Sequence, residues 1–384
     1  MVKAYNKKIV FVITDYGSFN NFLSEIAIKL ARAKMDVHVI TSREKVIDIE
    51  DKHDYLKCGI TFHFFEFPRS FNLINHYRTS AAIQNTIKRI SPDIVSLHFT
   101  TGIFTTILKQ KLPFKTIGTF HGLGYPVIDK LLKKKIFKAV EFFSAGRLDE
   151  IWVLNQSDKI LIEKKFPNVY LMPTNGLGCD LKIFDRKQFV DKLQPLRDEL
   201  RIDPDATVIS YTGRYVNFKG YDIVIKSFRE MEKRNSNLKL ITMGGYDKIH
   251  PTGLNEEEKN YVKDNPNIID IGFTSRVVDY LAITDIFFFP SKKEGIPICI
   301  VEALAMEIPI VTFDARGCND LVEDGVNGLL LPLDAQPKAF AQKIEELIKD
   351  KDTLSLIRKN IRSQRDELSR DKFINHQLKY FSSQ

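Results

Sequence analysis

The sequence has few cysteines, and their spacing fits neither a metal site nor a disulfide scaffold. Among 384 residues only four cysteines occur, namely Cys58, Cys179, Cys299 and Cys318. No two of them form the C-x-x-C spacing that is typical of zinc sites and redox motifs, and disulfide scaffolds need denser cysteine. We therefore expect no structural metal, no disulfide framework and a reducing, cytoplasmic setting.

Long hydrophobic runs are also missing. The apolar run that begins at Ile9 ends before Asp15, and no other run approaches the ~20 apolar residues of a membrane-spanning helix. The sequence contains no low-complexity tract, and its 43% hydrophobic and 28% charged residues are ordinary for a globular protein. These absences predict a globular protein without a signal peptide or a membrane span.

Positive charge is concentrated in one half of the chain. The net charge of +8 divides into +11 for residues 1–190 and −3 for the remainder. Within the basic half, segment 129–147 places lysines among leucines and phenylalanines at helical spacing. Its lysines are Lys130, Lys133, Lys134, Lys135 and Lys138. Such a segment can lie on an anionic membrane surface, and a solvated helix that packs its other face on the core is an equal alternative.

Apolar, β-branched runs recur in two series, separated by segments of helical periodicity. The first series comprises residues 8–14, 36–41, 60–67, 93–99, 115–120, 150–155 and 168–173. The second comprises residues 206–213, 238–245, 267–272, 285–291, 309–314 and 327–332. Runs that are apolar throughout predict strands covered on both faces, as in parallel sheets. The fold class that follows is α/β, with two doubly wound, Rossmann-like domains.

Turn residues and a loss of strand character place the boundary between these domains near residues 180–190. We predict an N-terminal domain over residues 1–185 and a second domain over 186–365. Residues 366–384 are predicted to form a helix that crosses back to the N-terminal domain. Because ligands of open α/β sheets bind at the carboxyl ends of strands, we expect a site in a cleft between the domains.

The stretch "PSKKEGIPICIVEA", residues 290–303, combines a strand end and a helix start with two carboxylates. Pro297 suits the first residue of a helix, because its missing N–H is not needed there. The free N–H groups of that helix start can bind phosphate. Glu294, in the loop, and Glu302, in the second helical turn, can accept hydrogen bonds from the hydroxyl groups of sugars.

The stretch "YTGRYVNFKG", residues 211–220, follows the first strand of the second series and supplies cations. Arg214 and Lys219 would project from a strand end in the same sheet as Glu294. They can neutralise phosphates that the carboxylates would otherwise repel. Together these groups suit a ligand that carries phosphates at its centre and hydroxyl groups at each end.

Three ordered motifs, "GRYVNFKG", "SKKEGIPICIVEALAMEIPIV" and "DLVEDGVNGLLL", resemble the retaining GT-B glycosyltransferases of family 4, which use nucleotide sugars. Glu294 and Glu302 match the E-x7-E pair of that family. The resemblance covers nearly the whole chain and is densest over residues 208–332. The segments "TFHGLGYPVID", "TNGLGCDLKIF" and "ARGCNDLVEDGVNGLLL" are similar to bacterial members that extend sugars carried on a polyprenyl diphosphate.

The resemblance implies a role for each matched residue. Arg214 and Lys219 would neutralise the leaving diphosphate, Glu302 would hold the ribose and Glu294 the donor sugar. His121 would contact the donor sugar and is counted as catalytic with Arg214, Lys219 and Glu294. The other expected donor-binding residues are Gly17, Ser18, Gly213, Gly244, Gly295, Ile296 and Pro297. No metal and no cofactor besides the nucleotide-sugar co-substrate is implied.

Other candidate features fit the family pattern less closely. The loop "TDYGSFNNF", which holds Gly17 and Ser18, has one glycine where many members have two. His98 in "SLHFT" is a further candidate in the first domain. The D-x-D of Asp203 and Asp205 precedes a strand and contains a proline, so we interpret it as a turn and not as a metal site.

The implied function is a metal-independent hexosyl- or N-acetylhexosaminyltransferase. Its donor would be a UDP-sugar and its acceptor a polyprenyl diphosphate-linked glycan in surface polysaccharide assembly. We expect it in the cytoplasm, peripheral on the inner face of the membrane through residues 129–147, with no nucleic-acid partner. The alternatives are a UDP-sugar 2-epimerase of the same fold and a non-catalytic, basic nucleic-acid-binding protein, for which no RNA- or DNA-binding signature is present.

Overall fold

The computed structural model describes residues 7–44, 55–70, 72–173, 176–247 and 250–383. Within these ranges the chain forms thirteen β-strands. The first seven are Lys8–Val12 (β1), Asp36–Thr41 (β2), Ile60–Phe64 (β3), Ile94–His98 (β4), Lys115–Phe120 (β5), Glu150–Val153 (β6) and Val169–Leu171 (β7). The other six are Thr207–Tyr215 (β8), Leu238–Tyr246 (β9), Ile268–Gly272 (β10), Ile286–Phe288 (β11), Ile310–Phe313 (β12) and Gly328–Leu331 (β13). Every strand overlaps a predicted apolar run, so both series are confirmed.

The strands form two sheets, and every strand pairing in the described ranges is parallel. The strand orders are β3-β2-β1-β4-β5-β6-β7 and β10-β9-β8-β11-β12-β13. In each sheet the winding reverses once, between β1 and β4 in the first and between β8 and β11 in the second. Doubly wound sheets bind ligands at the carboxyl ends of strands at this reversal. The predicted doubly wound α/β class is confirmed.

α-Helices connect the strands, and between residues 337 and 383 the chain forms three further α-helices and a 3₁₀ helix at Arg365–Leu368. Those of the N-terminal half are Tyr16–Phe22 (α1), Ser24–Arg32 (α2), Leu73–Ile90 (α3), Thr100–Ile107 (α4), Leu131–Ala145 (α5) and Gln156–Glu163 (α6). The later ones are Leu193–Glu199 (α7), Tyr221–Glu232 (α8), Glu256–Asp264 (α9), Val277–Ala282 (α10), Ile298–Ala305 (α11), Pro337–Lys349 (α12), Lys351–Gln364 (α13) and Arg370–Ser383 (α14). Among the described residues, no helix has both the length and the apolar character needed to cross a membrane.

The sheets are buried because their strands are apolar on both faces. In β1 the residues from Ile9 to Val12 have no exposed surface, and the same holds for Ile310 and Val311 of β12. Burying one such side chain contributes about 1.5–3 kcal/mol. Each sheet is therefore the centre of its own hydrophobic core.

The chain divides into two compact units at a point earlier than predicted. The first unit comprises the residues up to Pro173 together with those from Phe373 onward, and the second comprises Thr174–Lys372. The predicted boundary at residue 185 therefore assigned a dozen second-unit residues to the first. Their backbone explains the difference, since Arg365 donates to the carbonyl oxygens of Leu181 and Phe184 at 2.8 and 2.7 Å.

The last helix, α14, carries large aromatic side chains into the core of the first unit. Phe381 is 1% exposed. Its ring packs edge-on against Phe11 at 5.9 Å and stacks with Trp152 at 5.8 Å between centroids. The Tyr380 hydroxyl donates a hydrogen bond to Glu150 of β6. The first unit is thus built from two separate parts of the sequence.

Candidate active site

The winding reversal of the second sheet brings together two loops that lie far apart in the sequence. β8 and β11 are neighbours, with Ile286 opposite Ile209 and Phe287 opposite Ser210. The loop after β8 carries Lys219, and the loop after β11 carries Glu294. Because both strands are parallel, both loops leave the same edge of the sheet.

Lys219 and Glu294 form a close ion pair at this edge. The ammonium nitrogen of Lys219 lies 2.5 Å from Oε1 of Glu294, whose side chain is only 8% exposed. The same oxygen accepts a hydrogen bond from the Ser291 hydroxyl at 2.7 Å. The Lys292 amide donates to the Phe218 carbonyl at 3.1 Å, which fixes one loop to the other. The carboxylate is therefore held in one orientation by two donors.

A glycine allows the two loops to approach so closely. Gly220 has a φ of +77°, and a Cβ built there would lie 2.1 Å from the Pro290 carbonyl oxygen. Any larger residue would both strain the backbone and push the loops apart. Gly220 was not among the predicted site residues, although its place beside Lys219 in a strand-to-helix loop is a signal for such a role.

Arg214 lies at the end of β8 but does not join the Lys219–Glu294 pair. Its side chain is half exposed, and it forms a 2.7 Å ion pair with Asp247. Gly213 and Gly244 face each other across β8 and β9. A Cβ on Gly244 would lie 1.9 Å from the Gly213 carbonyl oxygen. The backbones of β8 and β9 can therefore be this close beside Arg214 only because residue 244 is a glycine.

Helix α11 presents its N-terminus beside the Glu294 loop. It begins at Ile298 with Pro297 as the N-cap, one residue later than predicted, and within the described residues no side chain caps it. The shift arises because Pro297 has extended backbone angles, φ −77° and ψ 110°. Gly295 and Ile296 precede the cap in the loop, as predicted. The first amides of α11 are the groups that a phosphate would use.

Glu302 lies in the second turn of α11, and its carboxylate is partly buried. Burial raises the pKa of Glu302 to about 7, although the positive charge of Arg370 acts in the opposite direction. Within the described residues, Glu302 forms neither a hydrogen bond nor an ion pair with another side chain. Its oxygen atoms are therefore available to accept hydrogen bonds from hydroxyl groups.

Cys299 shows that these charged groups lie close to one another. Burial raises the pKa of the Cys299 thiol well above its usual value, and Glu294, Lys219 and Glu302 all act on it electrostatically. Glu294, Lys219 and Glu302 thus all lie within electrostatic range of one half-buried cysteine. Arg214 acts, together with Glu294, on the neighbouring hydroxyl of Tyr211.

In the first unit, the two candidate histidines are bonded to each other. Nδ1 of His98 lies 3.1 Å from Nε2 of His121, and the Ser96 hydroxyl lies 3.0 Å from Nε2 of His98. The ring of His121 stacks on Phe99 at 4.3 Å, and its Nδ1 is buried without a hydrogen-bond partner among the described atoms. Burial lowers the pKa of His121 to about 4, so the ring is neutral at physiological pH.

Two buried carboxylates that the sequence did not single out hold the loop after His121. Glu141 of α5 accepts hydrogen bonds from the amides of Gly124 and Tyr125 at 2.7 and 3.2 Å. Asp158 of α6 accepts one from the amide of Leu123 at 2.9 Å. A lone acid on an amphipathic helix looks like a solvated residue in a sequence, so only the fold reveals this role.

Gly17 and Ser18 lie inside helix α1, and the donors of Ser18 are already in use. Asp15 is the N-cap of α1, and it accepts hydrogen bonds from the Ser18 amide at 2.9 Å and the Ser18 hydroxyl at 2.8 Å. The expected phosphate contact from Ser18 would require these bonds to open. A capping acid three residues before a serine is a recognisable pattern that could have indicated this.

Asp203 and Asp205 lie in a turn immediately before β8, as predicted. In the part of the chain that the structure describes, no group of three or more His, Cys, Asp or Glu side chains is arranged to hold a metal ion. The predicted charged residues of the second unit are Arg214, Lys219, Glu294 and Glu302. They lie at or after the carboxyl ends of the neighbouring strands β8 and β11.

Two family models match the chain, one in each unit. Residues 194–364 match the family described as glycosyl transferases group 1, and residues 8–155 match the family described as glycosyl transferase 4-like. The chain belongs to the family 4-like glycosyltransferases. The resemblance read from the three ordered motifs is thereby confirmed.

Relatives and a solved structure agree with this assignment. This glycosyltransferase is 24% identical to the capsular polysaccharide biosynthesis glycosyltransferase CapM of Staphylococcus aureus, over 90% of the chain and 88% of CapM. It is 23% identical to the Escherichia coli UDP-Gal:alpha-D-GlcNAc-diphosphoundecaprenol alpha-1,3-galactosyltransferase, over 81% and 80% of the two chains. Anabaena HepE in complex with UDP-glucose superposes with a TM-score of 0.73 at 17% identity, covering 98% and 99%. The GT-B fold is thus confirmed.

Proposed function

We propose that this glycosyltransferase moves a hexose or N-acetylhexosamine from a UDP-sugar to a glycan acceptor with retention of anomeric configuration. The observation that carries the proposal is the Lys219–Glu294 pair at the winding reversal of the second sheet. The HepE complex supports a uridine donor because it contains UDP-glucose. The name of the E. coli relative, which includes UDP-Gal, supports it as well.

The charges at the β8 and β11 loops suit departure of a diphosphate. Negative charge grows on the diphosphate as its bond to the anomeric carbon breaks, and fixed cations at Arg214 and Lys219 stabilise that charge. The acceptor hydroxyl attacks the same carbon from the face that the diphosphate leaves, and a phosphate oxygen takes its proton. Because these side chains supply the positive charge, we propose that no divalent metal is required.

Glu294 and Glu302 would bind opposite ends of the donor. Glu294 is held by Ser291 and Lys219, so its second oxygen is oriented to accept a hydroxyl of the donor sugar. Glu302, which lacks partners among the described side chains, would accept the ribose hydroxyls. In the first unit we assign His121 a catalytic role as a neutral hydrogen-bonding group, since its lowered pKa keeps it uncharged.

We further propose a lipid-linked acceptor, a place in surface polysaccharide assembly and peripheral attachment to the inner face of the membrane. The support lies in the relatives' names and in α5, where Leu131, Leu132 and Ile136 are 76%, 73% and 43% exposed. These residues alternate with the four lysines of α5. At the start of α3, Leu73, Ile74 and Tyr77 are also exposed by half or more.

The same two helices border one pocket of the first unit. Its lining includes Arg69 and His76 on one side and Phe137 and Val140 of α5 on the other. Apolar helix surfaces beside a pocket with polar groups suit an acceptor whose lipid stays in the bilayer while its sugar enters the protein. Five lysines near the lipid headgroups would each contribute about 1 kcal/mol of binding.

The first test is release of UDP from a panel of UDP-sugars in the presence of detergent-solubilised polyprenyl diphosphate sugars. We expect Lys219→Ala to lower kcat by about 10²–10³, the usual effect of removing one charge-stabilising donor. Glu294→Ala and His121→Ala should also lower turnover. Product anomer by NMR reports retention, and activity in EDTA reports metal independence.

The matched control is Lys233→Ala, which removes an exposed lysine whose partner is the nearby Glu230. It should turn over like the wild type. If Lys219→Ala and Glu294→Ala both turn over as fast as the wild type, and thermal melts show that both are folded, the site assignment is wrong. Conversion of UDP-GlcNAc alone, without an acceptor, would instead favour the 2-epimerase.

A vesicle sedimentation assay tests the membrane proposal. Replacing Lys133, Lys134 and Lys135 with Ala should weaken binding to anionic vesicles by about 100-fold, at about 1 kcal/mol for each charge. The control replaces Lys233, Lys263 and Lys349 of the second unit, which removes the same net charge. Equal vesicle binding by the two triple variants would contradict a membrane role for α5.

A further inference from the structure

A cavity of about 400 Å³ lies at the end of the second sheet opposite to the donor residues. It is lined by Thr207, the first residue of β8, and Ile286, the first residue of β11. Lys219 and Glu294 instead follow the carboxyl ends of these strands. Because β8 rises about 3.3 Å per residue, the two sites are separated by roughly 25 Å.

The cavity collects more positive than negative charge. Its lining includes Arg197, Lys351 and Arg358 but only two acids, Asp205 and Asp285. Outside the lining, burial and the charge of Arg358 lower the pKa of Arg186, while Asp285 and Glu307 act in the opposite direction. Cations gathered at this density in a partly enclosed space favour an anionic ligand.

Hydrogen bonds show which of these cationic side chains already have partners within the protein. Arg197 donates to the carbonyl oxygens of Asp203 and Ala206 at 2.9 and 3.1 Å, so its position is structural. Asp285 accepts from the Val208 amide at 3.0 Å and from Nη2 of Arg358 at 3.2 Å. The single acid that faces both arginines is therefore already used by the protein.

Donors without partners remain on the α13 side of the cavity. Nε of Arg358 is buried and has no hydrogen-bond partner among the described atoms. Lys351 forms no ion pair within the described ranges, and the Ser355 hydroxyl, one turn along the same helix, also lines the cavity. The Arg358 side chain is 30% exposed, so its guanidinium reaches the cavity surface even though its Nε atom is buried.

We propose that this cavity binds a small, soluble, phosphate-bearing anion, held by Arg358, Lys351 and Ser355. A phosphate offers the several acceptor oxygens that a guanidinium, an ammonium and a hydroxyl can share, and charge-assisted bonds of this kind are strong. The cavity volume is within the range of small-molecule sites. This site goes beyond the transferase function, since none of its residues belongs to the donor set.

The experiment measures pyrophosphate binding by calorimetry in the Lys219→Ala background, which weakens competing binding at the donor site, and compares variants within that background. Adding Lys351→Ala should weaken the affinity by about tenfold or more, the usual contribution of a hydrogen bond to a charged group. Lys351 is exposed, so this variant should fold. Arg358→Gln, which loses the charge but keeps a donor near Asp285, should weaken binding as well.

The matched control is Lys359→Ala, which removes an exposed lysine of the same helix outside the cavity lining. Binding that survives in this control and falls with Lys351→Ala supports the site. Absence of pyrophosphate binding, or equal affinity in both variants, overturns it. Binding to phosphate-headgroup vesicles without binding to soluble pyrophosphate would also overturn it. UDP release by the single variant Lys351→Ala tests the transferase separately, so each proposal can fail alone.

Discussion

The two acidic residues of the candidate site, Glu294 and Glu302, differ in whether other side chains of the protein already hold them. Glu294 is already held by Lys219 and Ser291, whereas Glu302 has no such partner. A group that is buried without partners resists ionisation, and this is the cause of the raised pKa of Glu302. Ribose hydroxyls would supply the missing donors, so donor binding and ionisation of Glu302 should favour each other.

We therefore predict that affinity for a UDP-sugar increases with pH around the pKa of Glu302, which is about 7. Between pH 6 and pH 8 the affinity should rise up to about tenfold, because the carboxylate is the better acceptor. Calorimetry with UDP-glucose measures this, since its diphosphate does not titrate in that range. Glu302→Gln should bind more weakly and lose the pH dependence; a variant with the wild-type slope would contradict the assignment.

The stability of the ligand-free protein should show the opposite trend. A carboxyl group whose folded pKa is raised from 4.5 to about 7 binds its proton more tightly in the folded than in the unfolded state. The contribution of Glu302 to the free energy of unfolding is therefore complete below pH 4.5, and it declines as the pH rises from 4.5 towards 7. Glu302→Gln removes this contribution.

At the scale of elements, the order of strands decides which loops meet. The apolar runs predicted all thirteen strands, and helical periodicity predicted the helical C-terminal part of the chain. The contact between Lys219 and Glu294 depends on β8 lying beside β11, although β9 and β10 intervene in the sequence. Periodicity identifies elements but not their order, and the motif resemblance supplied what periodicity could not.

Other features of the elements were beyond sequence reasoning for physical reasons. The bond between His98 and His121 requires β4 and β5 to pair in one particular register, with His98 opposite Thr119. Residues 176–185 are joined to the second unit by backbone bonds, including that between the Cys179 amide and the Leu368 carbonyl at 2.9 Å. Backbone hydrogen bonds of this kind leave no pattern in side-chain chemistry.

Substitution of Gly220 tests whether the site needs the close approach of the loops that follow β8 and β11. Gly220→Ala should strain a backbone at φ +77° and bring a Cβ within 2.1 Å of the Pro290 oxygen. We expect a loss of stability of about 1–3 kcal/mol from the backbone alone, and more from the clash. Thermal melts and UDP-sugar affinity measure the two effects.

Gly272→Ala is the control for that substitution, because Gly272 has a similar φ of +69° and no atom within 4 Å of its built Cβ. It should lose stability through backbone strain alone and keep its UDP-sugar affinity. If both variants bind the donor like the wild type, close approach of the β8 and β11 loops is not needed for the site.

At the scale of the whole molecule, α14 makes the first unit depend on the last residues of the described chain. Trp152 is the only tryptophan of the protein. It is 2% exposed and contacts both Tyr380 and Phe381. Its fluorescence therefore reports on the first unit and on the attachment of α14.

We predict that Phe381→Ala destabilises the first unit by about 3–5 kcal/mol, the usual cost of removing a buried phenylalanine ring. Denaturant titration followed by Trp152 emission should show an earlier transition. The control is Phe340→Ala, which removes an equally buried ring that packs on Phe288 and Phe313 in the second unit. That variant should leave the tryptophan transition in place, and an unchanged transition in Phe381→Ala would contradict the packing of α14.

The return of the chain to the first unit also bears on how the protein folds during synthesis. A ribosome delivers residues in order, so the last part of the second unit at Lys372 emerges before Phe381 does. The later unit is thus complete in the nascent chain while the earlier one still lacks a core helix. Until Phe381 emerges, the rings of Phe11 and Trp152 lack this packing partner and form an apolar surface that a chaperone would recognise.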